Sequence, residues 1–395
     1  MNQHRLTQSW RWFGPNDSVS LEDIRQSGAS NIVTALHDVN IGEVWSVEDI
    51  LERKKLITEV GLEWTVVESV PVHDDIKRRS GDYLQLIENY KTCIRHLARA
   101  GVEVITYNFM PVMDWVRTDL HYKLEDGSLA LRYDGDAIAA FDLHILRRPE
   151  AYDEYTLQQR QEAQEYFDLL SEEEVTDLTM KIIAGLPGKT TSASDSIQEF
   201  RDLLDTYSQI DKKQLRENLK LFLEAIIPVA EEVGMKLAIH PDDPPFELLG
   251  LPRIVCDIED FRYITSAVSS EANGICFCTG SLGVLPSNDL PAMIEELGER
   301  IHFIHLRAVK REDASHFYEA AHLEGEVDMY EVIEAFTKVQ QRRRVSIPMR
   351  PDHGHKILDD IKKETNPGYS AIGRLKGLAE IRGLEEGVVR SLAKH

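Results

Sequence analysis

Apolar residues follow two rhythms along this chain. Short runs rich in β-branched and aromatic residues recur, and longer stretches between them repeat an apolar residue every three or four positions. The first pattern is that of a buried strand, the second that of an amphipathic helix. Eight strand-like runs stand out: SWRWF at 9–13, NIVTALH at 31–37, EWTVVES at 63–69, EVITYNF at 103–109, KLAIHP at 236–241, GICFCT at 274–279, IHFIHL at 301–306 and SIPMRP at 346–351. Helical patterns cover 46–60, 81–100, 212–234, 257–269, 288–298 and 328–342, and a last one runs from about 371 to 393. Eight strands, most followed by a helix, predict a single-domain (β/α)8 TIM barrel spanning 1–395, with a doubly wound open sheet as the alternative.

Punctuation supports these boundaries. Ser46 is placed to cap the helix beginning at Val47, with Asp49 at the capping-box position. Gly61 and Gly101 fall where a helix ends and the chain turns back into a strand. The segment 110–211 breaks the rhythm. It holds no convincing barrel strand, and reads as a small hairpin turning at Asp126-Gly127 followed by acidic helical sequence. Because it follows the fourth strand, this mainly helical insertion belongs on the catalytic face of the barrel, as a lid or as an oligomer contact.

The strand ends carry the candidate chemistry. His240, Cys278, His305 and Asp352 each close one of the last four predicted strands. A barrel brings the carboxyl ends of consecutive strands to one half of its mouth, where such enzymes keep their active sites. Singly, each residue has a structural explanation, as a hydrogen-bonded histidine, a buried thiol or a turn aspartate. Together they form a donor set for a divalent transition metal. Two imidazoles, a thiolate and a carboxylate suit Mn²⁺, Fe²⁺, Co²⁺ or Zn²⁺ and not Mg²⁺ or Ca²⁺, which prefer all-oxygen cages. Around them lie His353 and His355 in PDHGH, Arg307 and Arg350 at the ends of the seventh and eighth strands, and Tyr369 in NPGYSAIGR. Either arginine offers a fork that matches a carboxylate.

Composition adds exclusions. With 68 acidic and 45 basic residues the formal charge is −23, which argues against nucleic acid as a partner. It leaves room for an anionic substrate held by a few local cations. No run approaches the roughly 20 apolar residues of a membrane helix. MNQHRLTQSW also lacks the apolar core of a signal peptide. A cytoplasmic location is expected, with Cys93, Cys256, Cys276 and Cys278 as free thiols rather than disulfides. Cys276 and Cys278 are expected to face opposite sides of their strand. GLPGKT at 185–190 resembles the end of a P-loop, but Ile183 stands where its first glycine belongs. Asn16-Asp17-Ser18 matches a glycosylation acceptor that the expected location makes irrelevant.

Several longer strings resemble the mannonate dehydratase family in its bacterial long form. They are WRWFGPND, VVESVPVH, YNFMPVMDW, AIHPDDPP, CTGS, HLR, EAAHLEGEVDMYEV, MRPDHGH and NPGYSAIGRLKGL, running from residue 10 to about 380. The resemblance implies a xylose-isomerase-like TIM barrel that dehydrates D-mannonate to 2-keto-3-deoxy-D-gluconate in glucuronate catabolism. It implies Mn²⁺ or Fe²⁺ on His240, Cys278, His305 and Asp352, with His353 and Tyr369 as the acid/base pair. The chemistry needs such groups. The proton at C2 is poorly acidic, so its loss gives an enediolate that a Lewis acid must stabilise, while one group takes that proton and another protonates the departing C3 hydroxyl. Tyr369 is expected as the base, His353 as the acid, and Arg307 or Arg350 as the ligand of the substrate carboxylate. The expected partners are a small sugar acid and a second copy of the chain in a homodimer. A metal-dependent aldose–ketose isomerase, or a non-catalytic sugar-acid-binding barrel, are the alternatives.

Overall fold

Each of the eight strand-like runs forms a strand, and together they close a parallel barrel. The computed structural model describes residues 4–183 and 193–394, so the GLPGKT string lies outside the described residues. The chain opens with β1 (Thr7–Arg11), β2 (Asn31–Thr34), β3 (Glu63–Glu68) and β4 (Val104–Tyr107), then forms a hairpin of β5 (Asp119–Lys123) and β6 (Leu129–Asp134). It returns to the barrel with β7 (Lys236–Ile239), β8 (Asn273–Cys278) and β9 (Ile301–Leu306), leaves it for β10 (Ala308–Arg311) and β11 (His316–Ala320), and ends with β12 (Pro348–Pro351). The strand order is β1-β12-β9-β8-β7-β4-β3-β2, closing again on β1, all pairs parallel.

Period-two alternation decides what fills the barrel. Val33, Val66, Val104, Ala238, Cys276 and Phe303, one from each of six strands, form a buried layer separate from the core between strands and helices. Two residues further along, the same face of each strand reaches the mouth. There β3 presents Glu68, β8 presents Cys278 and β9 presents His305, while His240 follows β7. This corrects the expected orientation of the cysteines. Residues two apart share a face, so Cys276 and Cys278 both point inward, and Phe277 between them packs against Phe336 at a ring separation of 5.7 Å.

The helices form where expected, including Val47–Glu59, Tyr83–Arg99, Lys212–Val233 and Ala371–Leu392. Ser46 caps the first by accepting from the Asp49 amide at 3.0 Å. The Asp49 carboxylate takes the Ser46 hydroxyl at 2.5 Å instead of completing the box on the backbone. Among the described residues no helix is long and apolar enough to cross a membrane.

The segment between β4 and β7 is more than helical. β5 and β6 pair antiparallel, and β6 joins β11, giving a second sheet of order β10-β11-β6-β5. This sheet brackets a separate apolar cluster that includes Met113, Tyr133, Phe141, Phe200, Leu249 and Phe317. The second sheet therefore welds the insertion to the loop after β9, over the carboxyl end of the barrel.

Candidate active site

Four strand ends deliver the predicted donors to one place. His240 Nε2 faces His305 Nδ1 at 3.1 Å, and donor atoms of His240, Cys278 and His305 all lie within 4.8 Å of one another. The Asp352 carboxylate lies 3.8 Å from Cys278 Sγ and 3.9 Å from His305 Nδ1. Cys278, His305 and Asp352 are buried, and His240 nearly so.

The surroundings hold Cys278 and Asp352 in ligating form. Burial opposes ionisation of Cys278, but the Arg307 guanidinium and hydrogen bonds from His240 and His305 override it and hold the thiol well below its ordinary value. Burial likewise opposes the Asp352 carboxylate, and Arg350, His353 and Arg307 hold it well down. His240 Nδ1 sits 2.6 Å from the Pro241 carbonyl, which leaves Nε2 facing the cluster. His305 Nε2 lies 3.4 Å from Glu68, which leaves its Nδ1 to the same cluster. Such outer partners fix the tautomer of a metal-binding histidine. The donor set thus fits a borderline-soft divalent metal on its own chemistry.

Beside the cluster stands an aromatic wall. The His353 ring meets Tyr369 edge-on at 5.1 Å, Tyr369 meets Phe13 at 4.9 Å, and Trp115 lies 6.4 Å from His353. The Tyr369 hydroxyl is 3.4 Å from Asp352 Oδ1. Burial pushes the Tyr369 phenol up to about 12, against the pull of Arg350. His353 Nδ1 contacts Glu319 at 3.1 Å, and its Nε2 lies 3.8 Å from Asp352.

Arg307 and Arg350 are placed differently from the expectation that one of them clamps substrate. Arg307 reaches Asp352 through Nε at 2.7 Å, Glu319 at 2.5 Å and Ser281 at 3.0 Å, and pairs with Asp243 as well. Arg350 grips Glu68 with two bonds of 2.9 Å and also pairs with Asp352. These partners leave neither guanidinium a free pair of donors. His355 lies outside the cluster, with Nε2 2.8 Å from the Glu319 carbonyl.

Four charges beside the cluster escaped the sequence reading: Glu68, which is half-buried, and Arg117, Asp243 and Glu319, which are buried. Arg117 bonds Asp243 at 2.8 Å and Glu319 at 2.6 Å, and the two carboxylates in turn hold Arg307. Glu68 was findable, since it closes the third strand on the inward face. Glu319 was not, because its strand was not predicted.

A closed parallel barrel with His, Cys, His and Asp converging at its mouth, beside a paired His and Tyr, defines a TIM-barrel enzyme with a candidate metal centre. The family model described as D-mannonate dehydratase (UxuA) matches residues 6–395, and the chain belongs to this family. It is 52% identical over 393 residues to the mannonate dehydratase of Marinomonas sp. (strain MWYL1), covering 98% of this chain and 100% of that one. It is also 52% identical over 388 residues to the mannonate dehydratase of Chromohalobacter salexigens, with 97% and 99% covered. The crystal structure of mannonate dehydratase from Streptococcus suis serotype 2 superposes with a TM-score of 0.78 at 36% identity, over 98% of this chain and 96% of that one. A xylose isomerase domain protein from Planctomyces limnophilus shares the fold alone, at a TM-score of 0.50 and 10% identity over 99% of this chain and 100% of that one.

Proposed function

We propose that this chain removes water from D-mannonate to give 2-keto-3-deoxy-D-gluconate, as a metal-dependent hydro-lyase. Family membership supports the reaction class. The observation that carries the site is the convergence of His240, Cys278, His305 and Asp352 from four strands beside His353 and Tyr369. These four residues would hold Mn²⁺ or Fe²⁺. When bound, such an ion acts as a Lewis acid that stabilises negative charge developing next to the substrate carboxylate.

The chain's own groups handle the protons. The C2–H bond breaks, the C3 hydroxyl leaves as water, and the resulting enol becomes the C2 ketone. Tyr369 keeps its proton in the buried site, which suits it to protonate the departing hydroxyl. His353, with a carboxylate on Nδ1, suits removal of the C2 proton through Nε2. This is the reverse of the order expected from sequence. Arg307 and Arg350 hold Asp352, and Arg307 keeps Cys278 ionised, rather than binding substrate.

Incubation of the Mn²⁺- or Fe²⁺-loaded protein with D-mannonate should release a 2-keto-3-deoxy acid, and its absence would sink the dehydratase reading. In D₂O, Tyr369→Phe should still exchange the C2 proton of recovered substrate, whereas His353→Asn should not. The opposite result would restore Tyr369 as the base.

A further inference from the structure

The imidazole of His353 is held from behind by a residue that does not belong to the barrel. Glu319 lies on β11, whose residues alternate in exposure. His316 and Tyr318 are half-buried on the outer side, while Phe317 and Glu319 are buried against the barrel. Phe317 stacks on Tyr133 of β6 at 5.2 Å, so the second sheet fixes where Glu319 points. Its Oε1 lies 3.1 Å from His353 Nδ1, 2.6 Å from Arg117 and 2.5 Å from Arg307. His355, two residues beyond His353, bonds the Glu319 carbonyl, so the loop and the strand are tied at two points.

A carboxylate accepts hydrogen bonds and cannot donate them, so Nδ1 must carry the proton in that contact. The neutral ring then has its lone pair on Nε2, the nitrogen facing Asp352 and the metal cluster. Gly368, with a φ of +79°, fits closely over the same ring, and a Cβ there would come within 2.9 Å of it. The ring is thus held by Glu319 at one edge, by Gly368 on its surface and by Tyr369 edge-on.

We infer that Glu319 is the positioning residue for His353: it fixes the Nδ1–H tautomer and aims Nε2 at the reacting carbons. This rests on the reading of His353 as a proton carrier in the dehydration. The second sheet then has a task in catalysis, since it brings to the active site a carboxylate that no barrel strand supplies.

The test is a double-mutant cycle on the Mn²⁺-loaded enzyme with D-mannonate, using Glu319→Gln, His353→Asn and the double variant. If Glu319 acts through His353, Glu319→Gln lowers kcat by about 10- to 100-fold. KM and bound metal per chain stay near the parent values, and the double variant is no slower than His353→Asn alone. Losses that multiply in the double variant would overturn the inference. So would an unchanged kcat, or a loss of metal that accounts for the loss of rate. Because Gln also strips charge from Arg117 and Arg307, Glu319→Asp is read in the same cycle should Glu319→Gln fail to fold. It keeps the charge but draws the carboxylate back from Nδ1. A parent that does not dehydrate D-mannonate removes the reaction reading, and His353→Asn with parental kcat removes the role of His353; either outcome takes this inference with it.

Discussion

At the scale of single residues, Cys278 carries the most weight, because it is the softest donor in the cluster and the one most dependent on its neighbours. Burial alone would keep the thiol protonated, and a protonated thiol is a poor ligand. Arg307, His240 and His305 reverse that. Cys278→Ser replaces the thiolate with a hydroxyl that stays protonated, and no neighbour can change that. We expect metal affinity, measured by competition with a chelator, to fall by at least about 10-fold, and kcat to fall with it, while the circular dichroism spectrum is preserved. A variant that binds metal as tightly as the parent would remove Cys278 from the ligand set. The candidate donors could be picked out in the sequence because each closes or directly follows a strand-like run. The charges behind them were not, because Arg117, Asp243 and Glu319 lie on loops and on a strand outside the barrel, where no period marks them.

At the scale of elements, the critical contact lies between the loop carrying His353 and Tyr369 and the helix Ala371–Leu392 that follows it. Ser370 bonds the His355 carbonyl at 2.9 Å, and Arg374, buried over Trp10 at 4.2 Å, bonds the Tyr369 carbonyl at 2.7 Å. The helix also approaches the loop through Gly373, where a Cβ would sit 1.9 Å from the His355 carbonyl oxygen. Backbone cannot yield as a side-chain tip can, so Gly373→Ala must part loop from helix. The expected cost is about 1–3 kcal/mol, read as a lower midpoint in denaturant, with kcat reduced because His353 and Tyr369 shift with the loop. Gly383 on the same helix meets nothing within 4 Å. Gly383→Ala should therefore stabilise, by about 0.5–1 kcal/mol, through helix propensity alone. Equal effects of the two changes would show that the close approach at Gly373 is not what matters. The helix, its start and all eight barrel strands could be read from periodicity. β10 and β11 could not, because each is short, and β11 finds its second partner, β6, some 180 residues away in the insertion.

At the scale of the whole molecule, the buried histidines set how stability varies with pH. Burial lowers His302 to about 3 and His322 to about 4, from an ordinary value near 6.5. Both stay neutral in the folded chain while the unfolded chain takes up protons below pH 6.5. Their contribution is therefore complete above 6.5 and is lost as pH falls towards 4. By pH 5 the loss is on the order of 2 kcal/mol for each, a large part of the roughly 5–15 kcal/mol that stabilises a typical domain. His316 works in the other direction. A hydrogen bond donated to Asp134 outweighs its partial burial and, with another to Asp313, raises it to about 9. That contribution is complete below 6.5 and is lost as pH rises through 9, the more weakly because the site is partly open to solvent. Stability should therefore peak near neutrality and fall on both sides. The formal charge of −23 shrinks on acidification, which by itself would favour the folded state at low pH. At about 0.15 M salt, screening over roughly 8 Å weakens that repulsion between exposed charges, so the buried histidines should prevail. Denaturant melts from pH 5 to 9 at that salt, with metal removed by chelation, give the curve. His322→Gln should flatten the acid limb and leave the alkaline limb unchanged, whereas His316→Asn should do the reverse. Parallel curves for parent and variants would mean that other groups set the pH dependence.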